Sequence, residues 1–359
     1  MPPAYAMSSP IADLIAALSP PVLTPDDLDS LEQFFNRPEV RAFYVHAQDA
    51  AHTSASLQAC VDLLPRLHPN RASALALMCG SLVEDDADPA ILFPRLQSLL
   101  SQWLQTLRPY CAQEVEADDD EVEVEEADRQ AWADAQAKMA AVAEDERWQV
   151  EALHQAVDVL VLPMMTMLMR DQGNHQAFVS DDALMGLLHP MATSNDSLPF
   201  EQLHYLWMAA QVSYLDELVV VMPASRSGFV VQAHAVNNTF HAFTLLQIII
   251  GEHAEALGVK RDIAPRQPDM ERDTADFQWL QIGAYADGEL VQPMLWAWGE
   301  AALRLNMAKH GRRVLVALET DEGTQRNWSG FNGIIHDAQQ PSMTFKRYLT
   351  ADEVTSYLA

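Results

Sequence analysis

Glycine is nearly missing from the first three-fifths of the chain. Of 13 glycines in 359 residues, only Gly80, Gly173 and Gly186 precede residue 215. Hairpins and bulges draw on the positive backbone angles that glycine supplies, so a sheet is expected only in the remainder. Apolar periodicity divides the chain in the same place. Over 11–18, 27–35, 38–49, 54–67, 71–82 and 89–107, apolar residues return every three or four positions, as on an amphipathic helix. Thr24-Pro25-Asp26-Asp27 and Asp88-Pro89 carry the cap-then-proline signal of a helix start. Short helices joined by brief polar turns predict an all-α irregular array over 1–215, HEAT-like or α-solenoid-like in packing, without a fixed-period repeat.

After residue 215 the pattern becomes α+β. The β-branched run 217–222 and the partly alternating run 228–236 flank turn-forming residues and predict an antiparallel hairpin. A helix is expected over 240–257, stopped by Gly258, then a surface loop over 260–274 with Pro265 and Pro268. Strands follow at 277–285, 293–298 and 313–318, with a turn at Asp287-Gly288, a break over 306–311 and a closing helix over 351–358. The domain expectation is therefore 1–215 all-α and 216–359 α+β with antiparallel strands.

Charge is divided as unevenly as glycine. The net charge is -29, and residues 1–215 hold 33 acids against 10 bases, whereas 216–359 hold 18 against 12. A surface this acidic repels phosphates, which argues against direct nucleic-acid binding and for a basic protein partner. The run 114–128 places ten acids in fifteen residues, Glu121, Glu123 and Glu125 among them. At that density self-repulsion predicts a solvated loop or a helix-flanking extension. Such a run either solubilises the chain or steers a basic partner onto it, as a mimic of a nucleic-acid backbone would. Helix is expected to resume near Arg129 and to kink or end at Pro163. Met164, Met165, Met167 and Met169 then read either as core filler or as an adaptable binding groove.

Cys60, Cys79 and Cys111 have no C-x-x-C spacing, so neither a disulfide framework nor a zinc ribbon is predicted. The first apolar run has no preceding Lys or Arg and is cut by Pro20 and Pro21, unlike a signal peptide. The run 159–169 is about half of the roughly 20 residues a spanning helix needs. The expectation is a cytoplasmic protein without a membrane partner.

Several local patterns resemble a bacterial protein family built of an N-terminal helical array and a C-terminal α+β module. They are Ser227-Gly228-Phe229-Val230-Val231, the corner Asn237-Asn238-Thr239-Phe240 with Leu245-Leu246, the Trp-x-Trp-Gly-Glu pattern from Trp296 to Glu300, and Arg326-Asn327-Trp328. The resemblance implies an architecture and brings no catalytic residue.

Chemistry-bearing patterns are sparse. Among 12 histidines, His234 and His241 could meet across a strand-to-helix corner, but no H-E-x-x-H or H-x-H pair supplies a third ligand. There is no G-x-S-x-G elbow and no glycine-rich phosphate loop, so no cofactor is expected. The remaining candidate is Trp296, Trp298, Glu300, Arg326 and Trp328, read as a ligand pocket, as a protein-binding hot spot, or as sheet core. Two functions follow: a non-enzymatic interaction protein, such as an immunity or antitoxin-like protein that neutralises a basic toxin, or an enzyme or small-molecule binder with a site near Glu300 and Arg326, with His234 or His241 as further candidates.

Overall fold

The structure is a computed structural model that describes residues 9–111, 121–193, 200–259, 267–278, 280–286, 289–291, 307–319, 325–331, 336 and 339–359. For 121–128, 277–278, 280–286, 289–291, 307–308, 319 and 325–326 it describes the backbone alone. The chain forms two compact units, Met1–Ala210 and Gln211–Ala359. The first is helical and the second is α+β, with a mixed sheet in which antiparallel pairs predominate.

The helical unit contains α1 (Pro10–Leu18), α2 (Leu31–Asn36), α3 (Pro38–Ala47), α4 (Thr53–Leu63), α5 (Pro69–Glu84), α6 (Phe93–Leu107), α7 (Glu121–Ala141), α8 (Glu144–Met169), α9 (Gln172–Val179), α10 (Asp182–Thr193) and α11 (Leu203–Ala210). The array is irregular, and α8 is its hub: it packs most extensively on α5 and also on α6, α9 and α11. The Thr24 signal caps only one 3-10 turn, Pro25–Asp27, where the Asp27 carboxylate accepts from the Leu23 and Thr24 backbone N–H groups. Arg71, nearly buried on α5, ties the segment between α1 and α2 to the core. Its guanidinium donates to the Leu18 and Pro20 carbonyls and pairs with Asp29, which Arg37 also holds at 2.8 Å.

Three sequence expectations need correction here. The acidic run is not wholly a loop, because α7 begins at Glu121 and its backbone carries Glu121, Glu123 and Glu125; the side chains of 121–128 and all of 114–120 lie outside the described residues. Helix does not resume as one piece near Arg129, since Val142 and Ala143 separate α7 from α8. Nor does Pro163 end its helix: α8 runs through it to Met169. The Met run is core, with Met164, Met167 and Met169 fully buried. By length and apolar composition α8 could cross a membrane, but 72% of its most apolar window is buried inside the structure.

The second unit holds β1 (Asp216–Met222), β2 (Ser227–His234), α12 (Thr239–Glu252), β3 (Thr274–Gln278), β4 (Leu280–Ala286), β5 (Glu289–Val291), β6 (Met307–Lys309), β7 (Arg312–Glu319), β8 (Gln325–Ser329), β9 (Ser342–Tyr348) and α13 (Ala351–Leu358). The main sheet has the order β5-β4-β7-β1-β2-β9, with β6 also paired to β7, while β3 and β8 form a separate two-stranded ribbon. Strands β1 and β2 form the predicted hairpin, Asp216 opposite Ala233. Leu218, Val220 and Met222 face a core shared with Phe243, Leu246, Ile249 and Ile250 of α12, whereas Val219 and Val221 face Tyr357 of α13. Helices on both faces explain why β1 is an unbroken apolar run instead of an alternating one.

The sheet also departs from expectation. Strands β1 and β7 are parallel, Val219 opposite Val314. The single strand expected over 277–285 is two, β3 in the ribbon and β4 in the main sheet. Part of the expected break at 306–311 is β6, which returns to β7 through His310 (φ 52°) and Gly311 (φ 71°), the pair of positive angles a two-residue type I′ turn requires. Strand β9 has no counterpart among the expected strands. The turn at Asp287-Gly288, the expected strand 293–298 and residues 260–266 of the expected loop lie outside the described residues.

Candidate functional site

The sequence-predicted cluster is only partly visible. Trp296, Trp298 and Glu300 lie outside the described residues; Arg326 is placed in β8 by its backbone, without a described side chain. Trp328 is described, and it is an anchor. Its indole N–H donates to Thr244 Oγ1 at 3.1 Å, and its ring packs on Phe240, His241 and Phe331 with centroids 5.2 to 5.5 Å away. A concave surface of about 570 Å³ lies along the ribbon, lined in part by Asp269, Thr274, Asp276, Asn327 and Trp328. Register sets Ala275 opposite Trp328 and Asp276 opposite Asn327. Because adjacent cross-strand pairs point to opposite faces, the indole and the Asp276 carboxylate diverge instead of forming one aromatic-carboxylate site.

Behind Trp328, α12 presents His241, singled out in the sequence, together with Thr244 and Gln247, which sequence reasoning missed. All three are buried and recur every third residue of an otherwise apolar helix, and that spacing is the overlooked signal. Asn238 caps α12, its side-chain oxygen accepting from the His241 backbone N–H at 2.9 Å. His241 Nε2 lies 2.8 Å from the Phe331 carbonyl, so it carries the proton and donates. Its Nδ1 is buried with no partner among the described residues. A second ring proton would have no acceptor there, and burial holds the imidazole down to about 4, against the weaker upward pull of the Phe331 carbonyl and Asp273. His234 instead meets Tyr214 edge-on, and burial lowers it as well. No three His, Cys, Asp or Glu side chains converge as a metal site among the described residues. The cysteines are free and buried, and the Cys60 thiol is pushed well above its usual range by its hydrogen bond to Cys79 and by burial. A thiol in that state is a poor nucleophile.

The helical unit carries a different kind of surface. A trough crosses α2, α3, α5 and α8 as two cavities of about 500 and 260 Å³ that share Phe35, Met78 and Ser81. Ser81 Oγ donates to Tyr44 Oη at 3.2 Å and joins α5 to α3 at its base. Val45 on α3 and Leu162 on α8 stand on its margins, 69% and 48% exposed. Arg41 is occupied by the Asn36 side chain and the Phe35 carbonyl. At the other end Arg170 pairs with Glu84 at 3.0 Å and Asp86 at 2.6 Å.

Comparison of the chain with protein-family models, with curated proteins and with solved structures returned no match. The functional reading accordingly rests on the residues themselves.

Proposed function

We propose that this chain is a non-enzymatic interaction protein of the cytoplasm whose helical unit binds a basic protein, in the manner of an immunity or antitoxin-like protein held against a cationic toxin. The observation that carries this reading is the coincidence of charge and exposed apolar surface: 33 acids against 10 bases before residue 216, in the same unit as a trough edged by Val45 and Leu162. Long-range attraction accelerates encounter, and apolar contact then supplies affinity. The alternative, a small-molecule or catalytic site in the second unit, draws less support, because Trp328 and His241 are engaged with the core.

Glu121, Glu123 and Glu125 belong to the first turns of α7, so Glu121→Gln, Glu123→Gln and Glu125→Gln together remove charge while keeping helix-forming residues. The triple variant is expected to slow association with a basic partner several-fold at low salt and to flatten its ionic-strength dependence. Stopped-flow association rates measure this. An unchanged salt slope would remove the run from the binding mechanism.

A further inference from the structure

On the reading that the helical unit binds a basic protein, we infer that the trough across α2, α3, α5 and α8 receives an amphipathic helix of that partner, with a lysine or arginine seated at the Glu84 end. The geometry is that of a valley between helices. Leu77, Ser81 and Glu84 follow one another along one face of α5, Arg41, Tyr44 and Val45 rise from α3 on one side, and Leu162 and Thr166 rise from α8 on the other. Such a valley suits a docked helix whose apolar residues recur at i, i+4 and i+7. Met78 in the shared floor is an adaptable lining for such anchors.

Charge selects the sign of the occupant. The trough ends at the C-terminus of α5, whose last carbonyls are capped by the Asp85, Asp86 and Ala87 N–H groups and by Arg170, so the negative charge at this end is that of the carboxylates. Glu84, Asp85 and Asp86 are all exposed there, three carboxylates beside the single guanidinium of Arg170. An acidic helix would be repelled from this end, and a basic one gains a charged anchor beyond its apolar contacts.

The test uses the full chain and a synthetic helical peptide of roughly four turns, leucines at i, i+4 and i+7 with lysines flanking them, beside a control in which serines replace the leucines. Fluorescence anisotropy is expected to show saturable binding of the leucine peptide and binding of the control weaker by about tenfold or more, about 1.4 kcal/mol. Val45→Asp and Leu162→Asp are each expected to weaken the leucine peptide about tenfold. Both side chains are exposed, so the melting temperature should hold. Each change also adds negative charge, which would strengthen a merely electrostatic attraction. Equal binding of both peptides, indifferent to the two variants, would overturn the trough while leaving the acidic-surface reading intact. Binding of neither peptide overturns the trough as well, and the glutamine triple variant then judges the broader reading by itself. A concentration-dependent dimer of the free protein that Leu162→Asp abolishes would assign the trough to a second copy and overturn the inference.

Discussion

Gly80→Val is expected to destabilise the helical unit by about 3 kcal/mol. A Cβ at Gly80 would lie 3.0 Å from the Pro163 Cβ and 3.2 Å from its Cα, where α5 meets α8. These atoms belong to a rigid ring and to helical backbone, so the helices must separate along their most extensive contact. The gain in helix propensity of valine over glycine, a few tenths of a kcal/mol, is too small to compensate. Pro163→Ala should not rescue the variant, because the contacting Cα and Cβ remain. Gly186 in α10 provides the control: a Cβ added there would meet nothing within 4 Å, and Gly186→Ala should stabilise by up to about 1 kcal/mol. Urea unfolding followed by the helical signal separates the two. Equal effects at both positions would remove the α5–α8 approach as the reason for Gly80.

The second large effect is a dependence on acid. His241 is held to about 4 in the folded state against an ordinary value of 6.5. Because the folded value is the lower, the unfolded chain takes up the proton first as pH falls. The contribution of the buried neutral ring is full above 6.5, declines between 6.5 and about 4, and is flat below, a loss of about 3 kcal/mol. His241→Gln keeps a donor for the Phe331 carbonyl and cannot titrate. It is expected to remove that slope from the unfolding free energy, measured by denaturant titration across the window. An identical pH profile in the variant would mean that the ring is charged in the folded state or is not enclosed by Trp328 and Phe331.

Helices were legible because their signals are local. Thr239–Glu252 and Ala351–Leu358 lie where helices were expected, although α12 ends at Glu252, short of the stop expected at Gly258; Thr350 and Glu353 close a capping box at the start of α13. That α8 does not end at Pro163 was not legible, because the proline packs on Gly80, a residue 83 positions away in sequence. The run 277–285 reads as one strand, yet it is divided between β3 and β4, which pair with β8 and β7 in different sheets, a choice that lies in the partners. The parallel β1–β7 pair has the same origin, joining segments more than 90 residues apart. Strand β9 was hidden by Lys346 and Arg347, which suit the edge of a sheet.

The candidate site was legible in its charge and obscure in its shape. Arithmetic on the sequence located the acidic excess in the helical part. In the sequence, however, Val45 and Leu162 look like any other apolar residue of an amphipathic helix. Only the juxtaposition of α3, α5 and α8 leaves them exposed on the margins of one trough. Trp328 was singled out for its indole and arginine neighbour, and its hydrogen bond to Thr244 shows it fastening β8 to α12 instead.

The central claim, that the helical unit binds a basic protein, is tested most directly by capturing the native partner on the immobilised full chain. Its affinity is then measured as salt rises from about 0.05 to about 0.5 M, a range over which screening shortens from beyond to well within the span of a surface patch. The account predicts a partner of net positive charge whose affinity falls steadily across that range and falls further with Leu162→Asp. A neutral or acidic partner, held with an affinity that salt and Leu162→Asp leave unchanged, would contradict it.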